Sequence, residues 1–86
     1  MVSAKVKVNN QSGLHMHPAQ LFVGAVSRFG CDVVIRFNGR EINGKSIMNL
    51  LSAGIKKGTE LEIKCTGDRE ESCLKAAVDL IAGLKD

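Results

Sequence analysis

VVIRFNGREIN, residues 33–43, decides the architecture. Val33, Ile35 and Phe37 recur at every second position, the period of a half-buried strand. Asn38-Gly39 follows, and this pair is the strongest short hairpin signal because both residues tolerate positive φ. Arg40 to Asn43 returns as the second strand. The middle of the chain is therefore an antiparallel hairpin, and the rest is placed around it.

Upstream, Val2, Ala4, Val6 and Val8 alternate with Ser3, Lys5 and Lys7 as a first half-buried strand. Asn9 to Gly13 breaks the pattern with turn formers. From Pro18, Leu21, Phe22, Ala25, Val26 and Phe29 form a helical stripe that ends at Gly30 as a C-terminal cap. Downstream, Gly44-Lys45-Ser46 leads into a short apolar helix, Ile47 to Ala53, stopped by Gly54. Leu61, Ile63 and Cys65 alternate with Glu60, Glu62 and Lys64 as a fourth strand. Asp68 and Glu71 stand in capping-box spacing before a last stripe of Leu74, Ala77, Val78, Ile81 and Leu84. The order is βαββαβα. A sheet apolar on one face only needs all its helices on that face. The expected fold is an α+β open-faced sandwich, a four-stranded antiparallel sheet covered on one face by three helices.

Size and composition narrow the functions. Eighty-six residues make a single domain, residues 1–86, with a modest core. Aromatic content is 3%, three Phe and neither Trp nor Tyr, so stacking platforms for bases are scarce. The net charge is +3 and the densest basic point is Lys56-Lys57, too little for a phosphate-tracking stripe. Nucleic acid is not an expected partner. The apolar runs are far short of a membrane span, and the opening Met1 to Lys5 lacks a secretory signal's apolar stretch. A cytoplasmic, monomeric protein is expected. Cys31, Cys65 and Cys73 are widely spaced and include no C-x-x-C pair, so they read as small apolar packing residues rather than a zinc site.

The chemistry lies in SGLHMHPAQ, residues 12–20. A strand-to-helix junction presents the first backbone N–H groups of the helix, which have no partner inside it and make an anion site. Pro18 fits the first turn, where its missing N–H costs nothing. His15 then sits at the mouth of that site, with the amides of Met16 and His17 beside it. An imidazole with an ordinary pKa of ~6.5 is mostly neutral at pH 7, leaving a ring nitrogen free to attack phosphorus. The P–N bond keeps its phosphoryl group at high transfer potential, so the arrangement suits relay rather than hydrolysis. Metal binding by His15 and His17 needs a third ligand, and no acidic residue or Cys lies near them in sequence. Neither a metal nor a cofactor is expected.

GLHMHPAQ resembles the active-site motif of the histidine-containing phosphocarrier (HPr) family, usually written G-L-H-A-R-P-A. GREINGKSIMNLLSAGIKKGTELEI, residues 39–63, resembles that family's regulatory-serine segment, and element order and length match as well. The resemblance covers essentially the whole chain. It implies that His15 accepts phosphate from phosphorylated enzyme I and passes it to sugar-specific IIA components of the phosphoenolpyruvate-dependent phosphotransferase system. Such a protein is a carrier with no turnover of its own. In many Gram-positive members a serine matching Ser46 is phosphorylated by an ATP-dependent kinase to regulate carbon use, which adds that kinase and a catabolite-control transcription factor as partners.

The chain departs from the motif at two positions. His17 replaces the arginine and Met16 the alanine. Arginine stays charged and presents a donor fork to phosphate; a free histidine is protonated only about a quarter of the time at pH 7. A phosphate dianion beside it raises that fraction. The alternative is a regulatory paralogue, read through Ser46, in which transfer at His15 is weak. Ser46 also has an ordinary role, because serine before an apolar run is a preferred N-cap. A helix of under two turns cannot bury every side, so Ile47, Met48 and Leu51 are expected to supply a docking patch, Met48 the most exposed. Gln20 and Arg28 are weaker candidates for polar contacts, and Arg28 also suits the C-terminal end of its helix.

Overall fold

Asn38 and Gly39 take φ of 49° and 76°, the pair of left-handed positions that a two-residue hairpin requires, and Phe37 pairs with Arg40 across them. The computed structural model describes residues 1–84. Around this hairpin the elements run β1 (Val2–Lys7), α1 (Met16–Ser27), β2 (Cys31–Phe37), β3 (Arg40–Asn43), α2 (Ile47–Ala53), β4 (Glu60–Gly67) and α3 (Glu70–Ala82). The sheet order is β1-β4-β2-β3 and every neighbouring pair is antiparallel. This is the expected α+β open-faced sandwich.

The register carries the alternation across strands. Ala4 faces Ile63, Ile63 faces Ile35, and Ile35 faces Ile42, one apolar row across all four strands. Leu61, Ile63 and Cys65 of β4 are fully buried, as is Ile35 of β2. Phe22 and Val26 of α1, Leu50 of α2, and Ala77 and Ile81 of α3 complete the core above them. The opposite face is open and charged: Ser3, Lys5, Lys7 and Arg36 lie exposed on it. There Arg36 pairs with Glu41 and approaches Glu62 at 3.8 Å. Helices cover one face because only one face is apolar.

Two helix boundaries differ from the sequence reading. Helix α1 starts at Met16, before Pro18, and is capped at its end by Arg28 in ordinary right-handed geometry. Gly30 lies beyond the cap because the Phe29 amide already donates to the Val26 carbonyl at 3.2 Å. Leu21, assigned to the buried stripe of that helix, is 43% exposed. It projects from the side of α1 that no strand covers.

Helix α3 has no capping box. Its N-cap is Arg69, at φ 56°, without a side-chain cap bond, and its guanidinium lies 5.0 Å from the Phe29 ring centre. That left-handed residue turns Asp68 away, and Glu70 takes the anchoring role. Glu70 accepts from the Gly67 amide at 3.0 Å and from the N-terminal amine at 2.5 Å. These donors, the amine first, hold its carboxyl below the usual carboxylate range. Cys73 is buried with Ala77 and Ile81, while Leu74 and Val78 are only partly covered.

Candidate functional site

The loop from β1 to α1 is pinned from two sides. Asn10, buried, donates its side-chain amide to the Gly13 carbonyl at 2.7 Å, and the Gly13 amide returns to the Asn10 carbonyl at 3.2 Å. The Leu14 amide donates to the Ile55 carbonyl at 3.0 Å, and the Leu14 side chain is buried. Gly13 has φ 67°, and a Cβ there would stand 2.3 Å from the Ile55 oxygen. The chain therefore passes so close to the segment before β4 that a bare backbone is required.

His15 follows as the N-cap of α1, with extended backbone (φ −85°, ψ −166°) and no side-chain cap bond. Its carbonyl accepts the Ala19 amide at 2.9 Å, the first bond of the helix. Pro18 has no N–H, so the amides left unpaired in the first turn are those of Met16 and His17. The side chains of His15, Met16, His17 and Gln20 are all exposed. An exposed imidazole thus stands where two free amides and the positive end of a helix dipole come together.

The tertiary structure adds a cation that spacing does not show. A hollow of about 280 Å³ is lined by Ser12, Leu14, His15, Met16, Leu51 and Lys56, with Gly54 and Ile55 behind them. Lys56 lies far from His15 in sequence and reaches the hollow because the Leu14–Ile55 bond joins the two loops. A larger hollow of about 480 Å³, bounded by Asp32, Glu41 and Lys45, holds no histidine or cysteine, so size does not locate the chemistry. Among the described residues, the two histidines gather no third ligand into a metal-binding group.

Among the residues around His15, Met16 and Leu51 line the same hollow. Met16 is 53% exposed on α1, and Met48 on α2 and Leu21 on α1 are exposed too, at 70% and 43%. Ile47 and Leu51 are half-buried, Leu50 and Ala53 fully turned into the core. Arg28 is exposed at the far end of α1, away from His15 along the helix. Leu21 belongs to the apolar stripe by spacing yet is surface, because an i, i+4 apolar pattern does not show which edge of a stripe lacks cover.

Ser46 is the N-cap of α2. Its Oγ accepts from the Asn49 amide at 3.2 Å and from the Asn49 side-chain amide at 3.1 Å. Ser46→Ala is expected to cost ~1 kcal/mol, seen as a fall in melting midpoint of about 4–8 °C. An unchanged midpoint would remove the cap from the stability of α2.

Comparisons with known proteins agree with this geometry. Residues 2–83 match the sequence model of the PTS-HPr family, described as the PTS HPr component phosphorylation site. The chain is 40% identical over 75 residues to the HPr-like protein Crh of Bacillus subtilis (strain 168), covering 87% of this chain and 88% of that one. Among solved structures, HPr-C-His from Thermoanaerobacter tengcongensis superposes with a TM-score of 0.91 at 36% identity, over 95% of this chain and 92% of that one. The phosphocarrier protein HPr from Bacillus anthracis str. Ames gives 0.88 at 35% identity, over 93% and 95%. A crystal structure of Bacillus subtilis Crh, solved as a dimer with a swapped domain, gives 0.77 at 36% identity, over 95% and 94%.

Proposed function

The chain belongs to the HPr family of the phosphotransferase system, and on that premise we propose that it carries a phosphoryl group on His15, taken from phospho-enzyme I and given to sugar-specific IIA components. The observation that carries this reading is the exposed His15 ring at the N-cap of α1, beside the unpaired amides of Met16 and His17. A neutral ring nitrogen attacks phosphorus, the P–N bond forms, and the bond from phosphorus to the donor protein breaks, the leaving atom keeping the electron pair. The transition state spreads charge over three equatorial oxygens, so positioned donors do most of the work. The two amides supply fixed donors, and the His17 ring and the Lys56 ammonium supply cationic ones. The dianion stays exposed and is held without being trapped, as transfer onward requires.

Partners meet the same face. Met16, Gln20, Ile47, Met48 and Leu51 are the proposed partner contacts, and the exposed Met16 and Met48 are adaptable side chains suited to successive partners. We read the carrier as a cytoplasmic monomer, since the exposed His15 and the side chains proposed around it need no second copy. No helix among the described residues is long and apolar enough to cross a membrane.

Incubation with enzyme I and labelled phosphoenolpyruvate tests the reading. Acid-labile label on the protein supports phosphohistidine; its absence overturns the carrier reading.

His17 makes transfer depend on pH in a specific way. Imidazole loses its charge as pH rises through ~6.5, or somewhat higher beside a phosphate, whereas arginine does not. The rate ratio of His17→Arg to native protein is expected to rise by roughly tenfold between pH 6 and pH 8.5, equivalent to one charge-assisted contact. A ratio independent of pH would mean that His17 does not stand in for the arginine.

A second reading rests on the same substitution together with the likeness to Crh. In it the protein regulates through phospho-Ser46, binding a transcription factor, with little transfer at His15. Phosphate on Ser46 would place charge at the N-terminus of α2, next to the exposed Met48, and alter docking there. Acid-stable label from ATP and an HPr serine kinase, without acid-labile label from enzyme I, would favour it.

A further inference from the structure

Cys31, Cys65 and Cys73 are far apart in sequence, yet the fold brings their three Sγ atoms within 4.8 Å of one another. Cys31 opens β2, Cys65 lies near the end of β4, and Cys73 is in the first turns of α3. All three are free thiols at 0–2% exposure. We propose that these cysteines form a three-sulfur site for a trivalent thiophilic centre, with arsenous acid as the reagent it takes.

Geometry permits it. Three points no more than 4.8 Å apart have a common centre within about 2.8 Å of each. Drawing the sulfurs together by about 0.5 Å or more each, with the arsenic seated above their plane because its lone pair makes As(SR)₃ pyramidal, brings each to ~2.3 Å, a metal–thiolate length. Such shifts are within the reach of side-chain torsions at the ends of two strands and one helix.

Donor number and charge select the centre. Among the described residues no carboxylate or imidazole joins the cluster, and its burial leaves no place for a coordinated water. Zinc, which takes four ligands, is therefore poorly served. Copper(I) accepts three soft sulfurs but would leave two net negative charges in the interior, where uncompensated charge is costly. A trivalent centre leaves none. The balance is As(OH)₃ plus three R–SH giving As(SR)₃ and three H₂O: three As–S bonds replace three As–O bonds, each thiol proton leaves on a hydroxide, and nothing is oxidised or reduced. Burial pushes the Cys65 and Cys73 thiols up, so they remain protonated. A neutral reagent that takes up those protons fits such thiols better than a bare cation does.

The Gly67 backbone packs directly against Cys31, where an added Cβ would stand 3.2 Å from its Cα and 3.5 Å from its Cβ, so the reagent reaches the buried cluster through local opening of the native state. Loading joins β2, β4 and α3 through one atom, which stabilises the native state by mass action.

The test uses the full chain, reduced with a phosphine rather than a dithiol. Arsenite is expected to give a one-to-one adduct by native mass spectrometry, heavier by one arsenic less three hydrogens. Titratable thiols should fall from three to none, and the melting midpoint should rise. Cys31→Ala, Cys65→Ala and Cys73→Ala, each checked for native circular dichroism, should bind at least tenfold more weakly. Should a variant not fold, arsenic K-edge absorption on the unmutated protein decides, three sulfurs and no oxygen being expected in the first coordination sphere. A midpoint lowered by arsenite, which would mean that only the unfolded chain binds, or an oxygen in that sphere, overturns the proposal. Phosphotransfer enters none of these readouts, so this site and the carrier reading fail independently.

Discussion

His15→Ala is expected to abolish the acid-labile label that enzyme I and labelled phosphoenolpyruvate place on the protein, with no compensating label on His17. The reason is geometric. His15 occupies the N-cap, outside the helix but next to its free amides, whereas His17 is already the second residue of α1. The loss is expected to be complete, because the His17 ring and the Lys56 ammonium act on the phosphoryl group as donors rather than as acceptors, and only His15 stands at the N-cap. The substitution should leave the fold alone: the side chain is exposed and makes no cap bond, so stability should move by no more than about 0.5 kcal/mol. Equal melting midpoints with lost label assign the loss to chemistry. Label persisting in the folded variant would move the acceptor elsewhere.

Gly13→Ala should be damaging for a different reason. Its φ of 67° is a conformation that alanine adopts only with strain, and the new Cβ would meet the Ile55 oxygen at 2.3 Å and the Lys56 Cα at 2.8 Å. Both neighbours are backbone and cannot rotate away. Strain at a left-handed residue and overpacking together suggest a cost of roughly 2–5 kcal/mol. For a small domain that is a large share of total stability. Relief requires the loop to lift off Ile55, breaking the Leu14–Ile55 hydrogen bond and moving His15 away from Lys56. Reduced stability in denaturant titration and slower phosphoryl acceptance at a temperature where the variant is still folded are both expected. Native stability would show that the two loops separate without cost.

Some of this was legible in residues and some was not. Strand alternation, the Asn38-Gly39 turn and the Ile47–Ala53 helix could be read directly, because each is set by neighbours two to four positions apart. His15 as the start of a helix was equally local, carried by the Gly13 break and by Pro18. The ends of α1 and α3 differ from the sequence reading where local rules compete. Gly30 and the Asp68–Glu71 pair suited caps on paper, but Arg28 and Arg69 took those places once Phe29 was drawn into the core and Glu70 tied to the amino terminus.

Sequence by itself determined the period of every strand and helix, hence the βαββαβα order, the single apolar face and the histidine at a helix start. Those follow from dihedral preferences and hydrophobic spacing, which act over a few residues. Only the tertiary structure decided that Lys56 stands near His15, that Leu21 faces outward, and that three distant cysteines converge under the first turns of α3. Each depends on which strands pair and which loops touch. Those contacts are long-range, chosen by burial of the whole apolar face, and no short window of residues contains them.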